Sequence, residues 1–145
     1  MKITIEKIAA NEEDEVIVRC HHLNPKVMRA IAALEAQNTM LTAFDGEDII
    51  RISPENVLYI ESVDKQTFLY CQNKVYGSKS RLHELEDILK RCDFFRASKS
   101  LLVNLGMVQS FAPAVAGRFE AVMKNGEKVI ITRHYVNELK KLLNI

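Results

Sequence analysis

Apolar and polar residues alternate with a period of two over residues 3–8 (ITIEKI) and 15–20 (EVIVRC), the pattern of a strand with one covered face. Asn24-Pro25 follows. Asn caps free helix amides and Pro is tolerated at the first helical position, so a helix is predicted from there to about Gln37. Val27, Ile31 and Leu34 fall at helical spacing on it. Residues 1–38 therefore read as a small β-β-α unit, with polar Gln37, Asn38 and Thr39 as a seam. From Thr39 onward the pattern is that of short strands. They are predicted near 39–44 and 48–52, across an Asp45-Gly46 turn, and at 57–63 and 67–72, across Asp64-Lys65-Gln66. LLVNL (101–105), MVQSF (107–111), RFEAVM (118–123) and KVIIT (128–132) complete the set, the last two joined by the hairpin signal Asn125-Gly126. Two helices interrupt them. One spans 81–91, with Leu82, Leu85, Ile88 and Leu89 on one side, Ser80 as its cap, His83 in the place of a capping-box glutamate, and Lys90 and Arg91 in its last turn. The other spans 135–143. The expected fold is mainly β (α+β overall), with a domain over 39–145 behind the 1–38 extension.

Composition narrows the class. The chain has 145 residues, 48% of them hydrophobic and 27% charged, as for one globular domain with a small appendage. No apolar run approaches the ~20 residues of a membrane span, and the N-terminus lacks the apolar core of a secretion signal. Cys20, Cys71 and Cys92 are an odd number at wide spacing, not a disulfide framework, which suits reduced thiols in the cytoplasm. The net charge of +1 hides an asymmetry. Residues 1–45 carry five Lys/Arg against seven Asp/Glu, and between Lys65 and Lys99 eight cations face four acids. An anionic partner is expected at that part of the surface.

Catalytic chemistry finds little support. Cys20-His21-His22 offers metal-binding side chains, but neighbours on a strand point to opposite faces and no second Cys/His pair completes a site; the plain alternative is a strand end with a buried Cys. Cys92 has no paired His in sequence, there is no glycine-rich phosphate loop, and the acids of residues 12–15 read as a solvated turn. Neither an enzyme nor a metal or cofactor is expected. A receiver domain is also excluded, because the N-terminal unit is too short for the alternating β-α pattern.

Four segments mix cations with hydroxyls at strand ends or helix starts: Asp64-Lys65-Gln66-Thr67, Ser78-Lys79-Ser80-Arg81, Arg96-Ala97-Ser98-Lys99-Ser100 and Thr132-Arg133-His134-Tyr135. Lys and Arg neutralise phosphates, Ser and Thr donate hydrogen bonds to phosphate oxygens, and helix N-termini add backbone amides. Lys and Arg also reach guanine O6 and N7 in the major groove. The same residues also fit ordinary solvated loops.

Two separated motifs decide between these readings. FFRASKSLLVNLGMV (94–108) and GRFEAVMKNGEKVIITRHYVNELKKLL (117–143), with NVLYIES (56–62) and LHELEDIL (82–89), resemble the LytTR family of bacterial DNA-binding regulators over about residues 40–145. The resemblance implies a stack of small antiparallel β-sheets with two short helices, reading duplex DNA with loops rather than a recognition helix. It implies base contacts from Thr67, Lys99, Arg133 and His134. It implies backbone contacts from Lys65, Lys79, Arg81, Arg96, Ser98, Ser100 and Tyr135, with packing an equal option for Tyr135. Many members have His near the position of Ser98, and Arg or Asn at that of Lys99; a point-charge Lys implies a looser base preference. The chain resembles stand-alone members without a receiver. The expected function is sequence-specific binding of promoter DNA at repeated half-sites as a homodimer. Residues 1–38, through Ala30 and Ala33 of the helix, are a candidate dimer surface or a surface for a membrane or signalling protein; that helix equally suits packing on its own two strands. An RNA-binding β-domain is the other alternative, but Tyr59, Phe68, Tyr70 and Phe119 alternate as buried residues do. Phe94 and Phe95 are expected to anchor the central motif, with at least one ring in the core, and Asn104 to tie down the backbone near it.

Overall fold

The VLYIESV segment forms the strand its pattern predicts, Val57–Val63, and the architecture grows around it. A computed structural model describes all 145 residues. Helix α1 is Pro25–Asn38, followed by β1 (Leu41–Asp45), β2 (Asp48–Ile52), β3 (Val57–Val63), β4 (Gln66–Cys71) and β5 (Val75–Ser78). Next come α2 (Leu82–Ile88), β6 (Phe94–Ser98), β7 (Leu101–Asn104), β8 (Val108–Pro113), β9 (Phe119–Met123), β10 (Lys128–Ile131) and α3 (Arg133–Leu143). Seven strands form one sheet in the order β2-β1-β5-β4-β3-β7-β6, and three form a second in the order β10-β9-β8. Every pairing is antiparallel.

The large sheet is covered on both faces. One face joins Leu58, Tyr59, Phe95, Ala97, Leu101 and Val103 to residues of β9, β10 and α3 in a single apolar cluster. The other joins Val57, Ile60, Leu69 and Leu102 to Leu82, Leu85 and Leu89 around α2. Burial on both sides explains why VLYI and LLV read as continuous apolar runs. An irregularity between Val57 and Tyr59 puts Leu58 and Tyr59 in the same cluster, where strict alternation would part them. The two phenylalanines of the central motif divide between the faces: Phe95 is buried in the first cluster and Phe94 packs against the second.

The structure differs from the sequence pattern in four places. Residues 3–8 and 15–20 form no strands; a turn at Ala9–Glu12 separates two extended, exposed stretches. Alternation records which face a segment would bury, but a two-stranded ribbon with nothing against it is marginal in water. Cys20 is accordingly exposed rather than buried. Second, α1 does not pack on those stretches. Its Asn24 cap accepts from the Val27 amide at 2.9 Å, and Ala32, Ala33 and Ala36 line a cleft of about 260 Å³ with Pro54, Cys92, Phe94 and Met107 of the body. Third, α2 is shorter than expected. Its cap is Arg81, and Glu84 supplies the reciprocal contact by accepting from the Arg81 amide at 3.3 Å. Only that half of a capping box forms, since arginine has no acceptor to return, and Ser80 instead donates its amide to the Ser78 hydroxyl. Leu89 is the buried residue completing the Leu82/Leu85 stripe, Ile88 is half exposed, and Lys90 and Arg91 lie beyond the helix end. Fourth, VYGS (β5) and FFRAS (β6) are strands that the apolar pattern does not mark.

Candidate nucleic-acid interface

Strand register alone places the four cation-and-hydroxyl segments. Val63 pairs with Gln66, so Asp64-Lys65 is a two-residue turn at one end of the large sheet. Thr67 pairs with Ser78, which brings Lys79 to that same end. Ser98 pairs with Leu101 across the Lys99-Ser100 turn and Leu101 pairs with Glu61 on its other side, so that turn lies at the same end. A bond from the Ser62 amide to the Ser100 carbonyl, 2.9 Å, ties that turn to the end of β3. The start of α3 docks there too: the Thr132 amide and hydroxyl both donate to the Ala97 carbonyl, at 2.9 and 3.2 Å. That carbonyl is available because Ala97 is the extra residue of an irregularity between Arg96 and Ser98. Bulges re-aim the chain in this way at functional strand ends. The Thr132 hydroxyl is thereby spent away from the capping position, and the first turn of α3 carries no side-chain cap.

At this end Lys65, Lys79, Arg81, Lys99, Arg133 and His134 are exposed, and none of them takes part in an ion pair. Lys79 Nζ lies 4.5 Å over the Phe44 ring. Among residues 63–66, 78–81, 98–100 and 132–135 the one acid is Asp64. The turns at the opposite end of the sheet carry Asp45, Glu47, Asp48 and Glu55, with Lys74 paired to Asp45. Asp64 and Lys65 both have positive φ, 50° and 65°, the left-handed pair of a type I′ hairpin. A lysine held there presents its chain at a fixed angle in a conformation most residues avoid.

Of the expected contact residues, Thr67 is buried and Arg96 is bonded within the fold. Thr67 is 5% exposed, inside β4 between β3 and β5, so it is no longer in the joining turn and its side chain is shut off from a partner. Arg96 points along the α2 face of the sheet. Its Nε donates to the Ser98 carbonyl at 2.7 Å, Nη2 to the Lys99 carbonyl at 2.5 Å, and Nη1 pairs with Glu86 at 3.2 Å. It grips the turn that displays Lys99 and is not free for a phosphate. The Ser98 hydroxyl accepts from the Ser100 amide at 3.2 Å and so also serves the turn. Ser100 is exposed. Tyr135 packs against the first cluster with its ring edge-on to His134, 4.9 Å between centroids.

At the far end Asn104 is buried and fully bonded. Nδ2 donates to the Val57 carbonyl at 2.8 Å and the Pro54 carbonyl at 3.3 Å, and Oδ1 accepts from the Gly106 amide at 3.0 Å. It ties down its own turn, as expected, and also the entry to β3. Tyr59 stacks on Tyr70 with centroids 4.4 Å apart, and its hydroxyl donates to Glu127 at 2.7 Å. Burial and that carboxylate hold the phenol well above its ordinary pKa. These rings are packed into the body rather than displayed as a stacking platform.

Residues 47–144 match the LytTr DNA-binding domain family model, two-thirds of the chain and all of this end of the sheet. The chain belongs to the LytTr DNA-binding domain family. The LytTr domain of a methyl-accepting/DNA response regulator from Bacillus cereus superposes with a TM-score of 0.70 at 27% identity, covering 74% of this chain and 98% of that one. Sensory transduction protein LytT of Bacillus cereus is 30% identical over 99 residues, 68% of this chain but 40% of that protein, so this chain spans less than half the length of such LytT relatives. An HTH-type transcriptional regulator of Staphylococcus aureus is 29% identical over 143 residues, 95% of each chain. That relative is matched through the N-terminal extension as well as the LytTr domain. No two helices adjoin in the present fold, so it holds no helix-turn-helix; the LytTr scaffold offers turns at strand ends instead.

Proposed function

We propose that this chain is a cytoplasmic transcription regulator that binds duplex promoter DNA through the cationic end of its large sheet. Lys99, Arg133 and His134 read bases in adjacent major grooves, while Lys65, Lys79, Arg81 and Ser100 hold the backbone. The observation that carries the reading is the convergence of separate cationic turns at one end of a rigid sheet, unpaired with internal acids and closely tied to one another. Groups already fixed by the fold lose little freedom on binding. Residues 39–145 form the DNA-binding domain, and residues 1–38 form the contact between two copies at repeated half-sites. Ile3 and Ile5 are 83% and 86% exposed, and Val16 and Ile17 are 69% and 64%; these apolar side chains remain without cover in the single chain. A second copy supplies that cover in this reading, and two linked domains gain affinity by effective concentration.

The test uses a duplex selected from a random-sequence library by the full chain, against a shuffled duplex. Lys99→Ala is expected to cost ~1–3 kcal/mol on the selected duplex and much less on the shuffled one. Equal losses on both make Lys99 a phosphate contact; no loss on either removes this end of the sheet from the interface.

A further inference from the structure

We infer that the turn Ala114–Arg118, between β8 and β9, is a further DNA-contacting loop, in which Gly117 sets the path of the Arg133 side chain and Arg118 meets the adjacent phosphate backbone. The inference rests on the DNA reading above and extends it to a segment whose sequence shows none of the cation-and-hydroxyl pattern.

Register places the turn at the cationic end. Pro113 pairs with Phe119, and Phe119 pairs with Ile131, two residues before Arg133. The turn is closed by the Ala114 amide on the Arg118 carbonyl at 2.8 Å. Ala116 (φ 58°, ψ 34°) and Gly117 (φ 73°) are successive left-handed residues, the first of them in a conformation that side chains rarely adopt. This tight reversal brings the Gly117 backbone against the stem of Arg133. A Cβ on Gly117 would stand 3.3 Å from both Cγ and Cδ of Arg133 and 3.6 Å from its Nε. A long, exposed arginine that leads a helix is thus braced along its length by a bare glycine, which limits its rotamers and leaves its guanidinium as the presented end. Side-chain bracing of this kind converts a mobile charge into a directional reader.

Arg118 stands on the same turn. Its Nε donates to the Val115 carbonyl at 3.1 Å, which orients the guanidinium. Its terminal nitrogens have no bond within the fold, and it belongs to no ion pair. A guanidinium with both terminal nitrogens unspent, on the turn that meets Arg133 at Gly117, matches the geometry of a phosphate diester. Val115, at the tip of the turn, is 74% exposed, which keeps the turn open to a partner's surface.

The experiment uses the full chain, the library-selected duplex and its shuffled counterpart, with four variants. Gly117→Ala is expected to lower the ratio of selected to shuffled affinity about five-fold, the low end of the effect of one base contact. Gly46→Ala is its control. It lies in another turn with positive φ (62°) but has nothing within 4 Å of an added Cβ, so it tests backbone strain without the arginine; it is expected to keep the wild-type ratio. Arg118→Gln is expected to weaken both duplexes alike and to reduce the slope of log affinity against log salt by about 0.9. It removes no bond but the one from Nε to the Val115 carbonyl, and keeps the inference testable should Gly117→Ala fail to fold. Arg133→Ala checks the underlying reading. If it lowers the ratio while Gly117→Ala behaves as Gly46→Ala does, or while Arg118→Gln leaves the slope unchanged, the role of this turn is overturned and the DNA surface stands. If Arg133→Ala leaves the ratio intact, the DNA surface itself is misassigned.

Discussion

Lys65 and Arg96 are both cations of the interface region, yet the fold uses them in opposite ways. Lys65 sits at φ 65°, a region that costs a residue with a Cβ about 1–2 kcal/mol, and it has no ion pair. A glycine there removes the steric cost and adds ~0.5–1 kcal/mol of chain entropy to be lost. Lys65→Gly is therefore expected to leave the denaturation midpoint unchanged or slightly raised while weakening selected and shuffled duplexes equally. A clear drop in the midpoint would show that the lysine holds the hairpin together. Arg96 has the reverse profile, because each of its contacts is inside the chain. Arg96→Lys cannot reproduce three directed bonds from one planar group. It is expected to destabilise the domain by roughly 1.5–3 kcal/mol, the range for hydrogen bonds to a charged group, and to leave the salt dependence of DNA binding as it was. An altered salt slope with unchanged stability would make Arg96 a phosphate contact. Among the thiols, burial raises the pKa of Cys71 and Cys92 above the ordinary value, while Cys20 is exposed. Mass spectrometry after brief alkylation at neutral pH is expected to find Cys20 modified first.

At the scale of elements, two irregular features aim the interface: the bulge at Ala97 and the bonded Asn104 at the opposite end of the same hairpin. Asn104→Ala would leave the Val57 carbonyl and the Gly106 amide without their side-chain partner. The buried Val57 carbonyl so orphaned costs about 1–3 kcal/mol, so a fall in urea midpoint is expected. DNA binding by the molecules that remain folded is expected to weaken as well, because the β6–β7 hairpin loses its far anchor. The strands packed on both faces, β3 and β7, were legible because nearly every position on them is apolar, and the hairpins at Gly46 and Gly126 because glycine marks them. Strand β6 was not, since Arg96 lies on its α2 face, where a charge is tolerated only with Glu86 and two carbonyls around it. Strand β5 is four residues long and includes Gly77. Residues 3–8 and 15–20 misled in the other sense, as alternation describes a face without supplying a partner. Within the candidate site, Lys99 and Arg133 were marked by ordered motifs, whereas the inward turn of Arg96 depends on a helix carboxylate ten residues away in sequence. The burial of Thr67 depends on a one-residue shift in where the β3–β4 turn ends, and composition cannot specify that.

The whole molecule has a cationic end, a far end whose turns mix acids with lysines, and an N-terminal segment whose apolar residues lie open. Residues 39–145 alone are expected to bind a single half-site as the full chain does, and to lose tighter binding to a paired site. Analytical ultracentrifugation of the two forms, free and on DNA, checks this; a full chain that stays monomeric on the paired site would assign residues 1–38 to another partner. The most direct test of the central claim is amide NMR of the full chain titrated with the selected duplex. The account expects the largest shifts at residues 64–66, 79–81, 98–100 and 132–135, with the far-end turns at residues 46–47, 72–74 and 125–126 little changed. Shifts concentrated at those far-end turns, or on the face covered by α2, would contradict it.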